Sequence, residues 1–248
     1  MDDGPTGANA AFRLSLADAE VDPLANRTDR ALSVVRRGIL TGRLRPGQQL
    51  VEADIAEMLG MSKTPVREAL KTLVGSGLVS LSRYKGAVVR QLDPGSAAAI
   101  YDLRLLLEPE AVRRAVAGQV DFAEAAETLD RAVAAGEAGD TVEMSLANRE
   151  FHGSLYVGCG NPLLVSTLDG LKDQAALISI SGWRSAGGWR VEAEEHRAIL
   201  AAARAGDAEG AAAALHAHIT GFVERVMPHL GPALDPADGE VRRASGGP

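Results

Sequence analysis

From residue 28 to residue 41 the apolar positions Ala31, Val34, Val35, Ile39 and Leu40 recur at helical spacing, while Arg30, Arg36 and Arg37 cover the other faces. The pattern predicts a helix that ends at Gly42 and is followed by a turn at Pro46-Gly47. A second short helix is expected over 51–59, with Ile55, Met58 and Leu59 inward and Gly60 as its stop. A third is expected from Ser62, a capping residue, to about Gly75, with Val66, Ala69, Leu70 and Leu73 as its core face. Pro65 falls in its first turn, where a backbone N–H has no helical partner in any case. Two strand-like runs follow, 78–82 and 87–91, separated by the polar turn Arg83-Tyr84-Lys85-Gly86. Asp93-Pro94-Gly95 reads as a linker and hinge. Beyond it helices are expected near 96–117, 121–137, 140–158, 161–181, 190–204 and 207–227. They are punctuated by Gly118, Gly139, Asn161-Pro162, Gly187-Gly188 and Gly206-Asp207.

The fold class expected is therefore mainly α: a winged helix-turn-helix over 24–92, a linker at 93–95, and an all-helical antiparallel bundle over 96–228. Residues 1–23 read as a disordered leader and 229–248 as a disordered tail. With 46% hydrophobic residues the chain can bury a real core, and only 4% aromatics favours helices packed through small side chains. The single cysteine, Cys159, rules out an internal disulfide and fits a reducing cytoplasm. No apolar run approaches the roughly 20 residues that span a bilayer, so no membrane role is expected.

Charge sharpens the division. The net formal charge is −7, which on its own argues against nucleic acid. Residues 24–92, however, hold 12 lysines and arginines against 5 acids, while the remainder holds 14 against 28. The basic segment is the one suited to phosphate. Within it Lys63, Arg67 and Lys71 fall at i, i+4 and i+8, opposite the apolar face of the third helix. Lys63, Thr64 and Arg67 occupy its first turns, the end that meets base edges when such a helix enters the major groove. An arginine there can bond guanine bidentately through O6 and N7. Arg83, Tyr84 and Lys85 at the wing tip suit phosphate or the minor groove. A merely solvated basic stripe would explain the helix alone, but not the helix together with the glycine turn, the wing and the local excess of positive charge.

Three segments carry a resemblance: Leu44-Arg45-Pro46-Gly47-Gln48-Gln49-Leu50, Met61 through Leu70 (MSKTPVREAL), and Gly77-Leu78-Val79. In order and spacing they resemble the GntR family of bacterial regulators. The resemblance implies a homodimer binding an inverted repeat in operator DNA, with contacts from Lys63 and Arg67. The first of these positions is usually arginine in the family, so lysine implies an altered base preference. Farther on, Arg104 through Glu108 (RLLLE), Phe151-His152, Asn161-Pro162, Glu195-His196 and Gly206-Asp207 through His218 are similar to the FCD effector domain of the FadR-like subfamily. That similarity implies a helical bundle with a central pocket for a metal ion and a carboxylate-bearing metabolite.

The residues themselves are compatible with such a pocket. His152, His196 and His218 lie on three different predicted helices, and Asn148 stands one turn before His152. Imidazoles converging inside a bundle form a divalent-metal site suited to zinc, nickel or similar ions. Singly, each histidine would more often be an exposed or core residue, the class assigned here to His216 and His229. The family position of Asn148 is commonly aspartate; an amide offers only a neutral oxygen, which implies a weaker and more positive site. Arg104 is read either as an effector-binding cation or as a surface partner of Glu108 at i+4. Trp183 and Trp189 either shield the pocket or pack between helices.

The function expected is a ligand-responsive DNA-binding transcription regulator in the cytoplasm, a repressor released by a small anionic metabolite. The alternative is a metal-dependent hydrolase using the three histidines. It lacks an HExxH spacing, a phosphate loop and a nucleophile elbow, and Glu195 is expected to point away from the site. An architectural DNA protein without a sensor would leave the acidic helical half unexplained.

Overall fold

The computed structural model describes residues 26–186 and 188–229; the expected leader, Gly187 and residues 230–248 of the expected tail lie outside the described residues. The first unit consists of α1 (Arg27–Leu40), α2 (Glu52–Leu59), α3 (Lys63–Gly75) and the antiparallel strands β1 (Val79–Ser82) and β2 (Gly86–Val89). Asn26 caps α1 by accepting from the backbone N–H groups of Thr28 and Asp29. Gly60 ends α2 in the left-handed conformation (φ +64°) that favours glycine, and so sets the turn into α3. Ser62 occupies the N-cap position of α3, but its side chain makes no capping hydrogen bond, contrary to the expectation. Val66, Ala69, Leu70 and Leu73 are buried as the periodicity requires, in one core with Ala31, Val34, Val35 and Ile39 of α1. The strands pair Val79 with Val89 and Ser82 with Gly86, and Gln49 adds a bridge to Val88.

The second unit is helical among the described residues: α4 (Pro94–Ala117), α5 (Ala123–Ala138), α6 (Thr141–Tyr156), α7 (Pro162–Ala186), α8 (Trp189–Arg204) and α9 (Ala208–Val226), then a 3-10 turn over Met227–His229. The expected linker at 93–95 is instead the start of α4. Asp93 accepts from the Ser96 backbone N–H and hydroxyl, with Pro94 and Gly95 in the first turn, so Gly95 is no free hinge. Tyr101 of α4 stacks on Phe222 of α9 at 5.2 Å, in a core shared with Phe151, Leu155, Ile199 and Leu215. This core fixes the inner faces of α4, α6, α8 and α9, which carry the polar side chains described next.

The two units meet along α1 and α7. Ala176 of α7 is buried in the core of the first unit, with Leu146 and Leu177 packed against it. Gly77 lies close to Gln174, to whose side-chain carbon a Cβ would come within 2.5 Å, and it has a φ of +72°.

Candidate functional site

The polar residues of the first unit gather on one outer face. Lys63, Thr64, Arg67 and Lys71 of α3 are exposed, as are Arg83, Tyr84 and Lys85 of the wing. Between α3 and the wing runs a groove of about 570 Å³ into which Arg67, Lys71 and Lys85 all open. Lys63, Thr64 and Arg83 stand outside its lining. Two acids that sequence spacing did not single out hold the cations in place. Glu52 at the start of α2 takes Arg67 bidentately, at 2.8 Å from Nη2 and 3.1 Å from Nε, and Glu68 pairs with Lys71 at 2.9 Å. The bond from Arg67 holds the Glu52 carboxyl below its usual range.

Inside the second unit His152 (α6), His196 (α8) and His218 (α9) converge. All three are buried, and one ring nitrogen from each lies within 4.8 Å of the others. The Nε2 atoms of His196 and His218 are 3.2 Å apart. Nitrogens bound at about 2.0–2.1 Å to one tetrahedral ion would be separated by about 3.3 Å, so this spacing fits a shared cation as well as it fits a hydrogen bond between the two rings. Burial lowers the pKa of all three rings, reinforced by the neighbouring cationic groups, and brings His218 to about 4. Neutral imidazoles are the ligating form.

Carboxylates orient two of the rings from behind. His218 Nδ1 donates to Glu195 Oε2 at 2.7 Å, leaving Nε2 for the site, and Arg225 clamps the same carboxylate at 3.0 and 3.1 Å. Glu195 therefore does not point away from the site; it supports His218 from an adjacent helix, a contact with no periodic signal in the sequence. His152 Nδ1 lies 3.2 Å from Glu108 Oε2 and 3.3 Å from Arg104 Nη2. Arg104 and Glu108 do form the expected i, i+4 pair, at 2.5 and 3.2 Å, but as a buried pair rather than a surface one. Burial would raise the Glu108 pKa; Arg104 and His152 overcome it and hold the carboxyl down at about 2.

Asn148 is half-buried and lines two small cavities of about 20 Å³ each, one beside His196, Glu192 and Trp189, the other beside Arg104, Glu108 and His152. Trp189 lies against Gly136 of α5 as well as that first cavity, which joins the two roles considered for it. The side chains of Trp183 and His229 lie outside the described residues, and His216 is exposed. Sequence reasoning named Glu195 but misplaced it, and it missed Arg225, Arg149 and Lys172; the last two line the cavity beside His152.

Residues 28–89 match the family model of bacterial regulatory proteins, gntR family, and residues 99–221 match the FCD domain. The HTH-type transcriptional regulator McbR of Escherichia coli K12 is 32% identical over 173 residues, which cover 68% of this chain and 78% of the relative. A probable D-xylose utilization operon transcriptional repressor of Paenarthrobacter nicotinovorans is 32% identical over 75% of this chain and 82% of its own length. The solved structure of E. coli McbR/YncC superposes with a TM-score of 0.73 at 27% identity, over 84% of this chain and 100% of the other. The chain belongs to the gntR family of bacterial regulatory proteins, pairing its DNA-binding winged helix-turn-helix with an FCD domain, and is a regulator of transcription rather than an enzyme.

Proposed function

We propose that this chain is a homodimeric repressor whose FCD domain holds a divalent cation and a small carboxylate effector, and which leaves its operator when that effector binds. The observation that carries the reading is the cluster of three buried, neutral imidazoles backed by carboxylates. His152, His196 and His218 would hold a zinc-like ion, with Asn148 supplying an amide oxygen. Such an ion would supply a Lewis-acidic anchor for a carboxylate. Arg104, paired with Glu108, lines the cavity beside His152 together with Arg149 and Lys172, and these three cations against one lining carboxylate suit an anion. On the DNA side Lys63, Thr64 and Arg67 read base edges, while Lys71, Arg83 and Lys85 engage phosphate. Two such domains in a dimer match an inverted repeat. The naming of the Paenarthrobacter relative as a probable operon repressor supports the sign of the response. Hydrolysis is not favoured, because Glu195, the acid beside His196, is occupied by His218 and Arg225 and is not available as a general base.

The test is calorimetric titration of zinc and nickel into chelator-treated protein. Wild type binds one ion per chain, His152→Ala weakens binding by roughly ten- to a hundredfold, and Asn148→Asp, which adds an anionic ligand, tightens it. A wild type that takes up neither ion removes the metal from the proposal. Unchanged affinity in Asn148→Asp together with loss in His152→Ala removes Asn148 from the ligand set.

A further inference from the structure

One wall of the cavity beside His152 is also part of the joint between the two domains. Lys172, Ala175 and Ser179 of α7 line the cavity together with Arg149 of α6. Asp173, next to Lys172 on α7, is 1% exposed and carries two guanidinium partners, one from each domain. Arg36 of α1 donates to it through Nε at 3.0 Å, and Arg149 donates to its other oxygen. The same joint holds an Arg90–Gln174 hydrogen bond of 3.4 Å and the buried Ala176. A carboxylate removed from water is tolerated because both cations compensate it; withdrawing one makes hydration at an opened joint the competing solution.

Three cations line this cavity, each already held by a carboxylate: Arg104 by Glu108, Lys172 by Asp169 and Arg149 by Asp173. Of these pairs, the Arg149 pair reaches the DNA-binding domain. It uses Nε, and among the described residues the two terminal nitrogens of Arg149 make no further hydrogen bond, so its fork can meet an incoming carboxylate. The cavity's 20 Å³ is room for about one water. A metabolite fits only if the walls contributed by α4, α6 and α7 move apart, and α7 is the helix that carries Asp173.

We propose that Arg149 binds the carboxylate of the effector through its free terminal nitrogens and is drawn off Asp173 as the cavity walls part around the effector, so that the Asp173–Arg36 clasp docking the DNA-binding domain loosens as the cavity fills. This rests on the carboxylate-effector reading above, and the test separates the two. Spin labels are placed on the full chain at two exposed positions, Tyr84→Cys in the wing and Leu163→Cys in α7, with the buried Cys159 left in place. Labelled chains are diluted with excess unlabelled protein, and pulsed electron–electron distances are recorded without ligand and with L-lactate, malate or citrate. Without ligand, Arg149→Gln broadens the distribution and lowers the docked population by roughly tenfold. Arg36→Gln, which breaks the clasp from the other domain, does the same, and the double variant goes no further. A probe that raises the wild-type melting temperature broadens wild type in the same way and leaves Arg149→Gln unchanged. Wild-type distances in both unliganded variants overturn the clasp, and equal broadening by a probe in wild type and Arg149→Gln overturns the competition. If none of the three probes stabilises wild type, the carboxylate reading fails and the competition fails with it, while the unliganded variants still decide the clasp.

Discussion

Removing the guanidinium of Arg67 tests the DNA-reading face, and the structure sets limits on the result. Glu52 holds Arg67 bidentately at 2.8–3.1 Å through Nε and Nη2, and turning those same donors to a base means giving up that pair. The pair is solvent-exposed, with side-chain exposures of 55% and 33%, and screened pairs of this kind are weak. Breaking it therefore costs little against a bidentate arginine–guanine contact. Arg67→Ala is expected to weaken operator binding by roughly ten- to a hundredfold and to relax preference at one position of each half-site. Glu52→Gln removes both the competitor and a negative charge facing phosphate, and should tighten binding a few-fold, more at low salt than at high. The assay is fluorescence anisotropy on an inverted repeat selected from the DNA upstream of the gene, across a range of salt. Wild-type affinity in Arg67→Ala would refute the assignment of α3 as the reading helix. Weaker binding in Glu52→Gln would show that the acid positions Arg67 for DNA instead of competing for it.

Three further outcomes are expected. Light scattering without DNA should give about twice the chain mass of 25.8 kDa, and a clean monomer at micromolar concentration would count against paired half-sites. Gly60→Ala places an L residue at positive φ in open space and should cost about 1–2 kcal/mol. Gly77→Ala adds a clash with Gln174 at the domain joint and should cost more, so equal losses in urea denaturation would mean that the contact yields freely. Chelator-treated protein should lose stability in mild acid. Burial holds His218 at about 4 in the folded state against 6.5 for an unperturbed ring, and lowers His152 and His196 in the same direction. The unfolded chain then binds more protons below about pH 6.5, so this stability is complete above that pH and is lost as pH falls toward about 4. At about pH 5 His218 alone accounts for about 2 kcal/mol. A urea midpoint unchanged between about pH 7.5 and about pH 5 would contradict this.

Local pattern carried most of the fold. The apolar stripe of α3 is buried residue for residue, and glycine or Asn-Pro breakers stand beside the ends of the bundle helices. The second strand was expected to run to Gln91 but ends at Val89, opposite the start of β1 at Val79; Arg90 still donates its backbone N–H to the Leu78 carbonyl at 2.8 Å, where the chain leaves the turn after α3. The three histidines were legible as ring types on separate helices. Their supporting carboxylates were not, since Glu195 reaches His218 from another helix and periodicity within one helix is blind to that pairing. The Arg104–Glu108 spacing was legible, whereas its burial depends on how α6 packs over α4. The domain joint left no trace in the pattern: Asp173 and Ala176 read as one polar and one small helical residue until α1 is laid against α7.

In the proposed mechanism, filling the FCD cavity releases the operator. This is tested most directly on metal-loaded protein bound to its labelled operator, titrated with the carboxylates that raise its melting temperature. Anisotropy is expected to fall over the same concentrations that stabilise the protein, and His218→Ala to abolish both effects together. A carboxylate that stabilises the protein while operator affinity stays unchanged would contradict it.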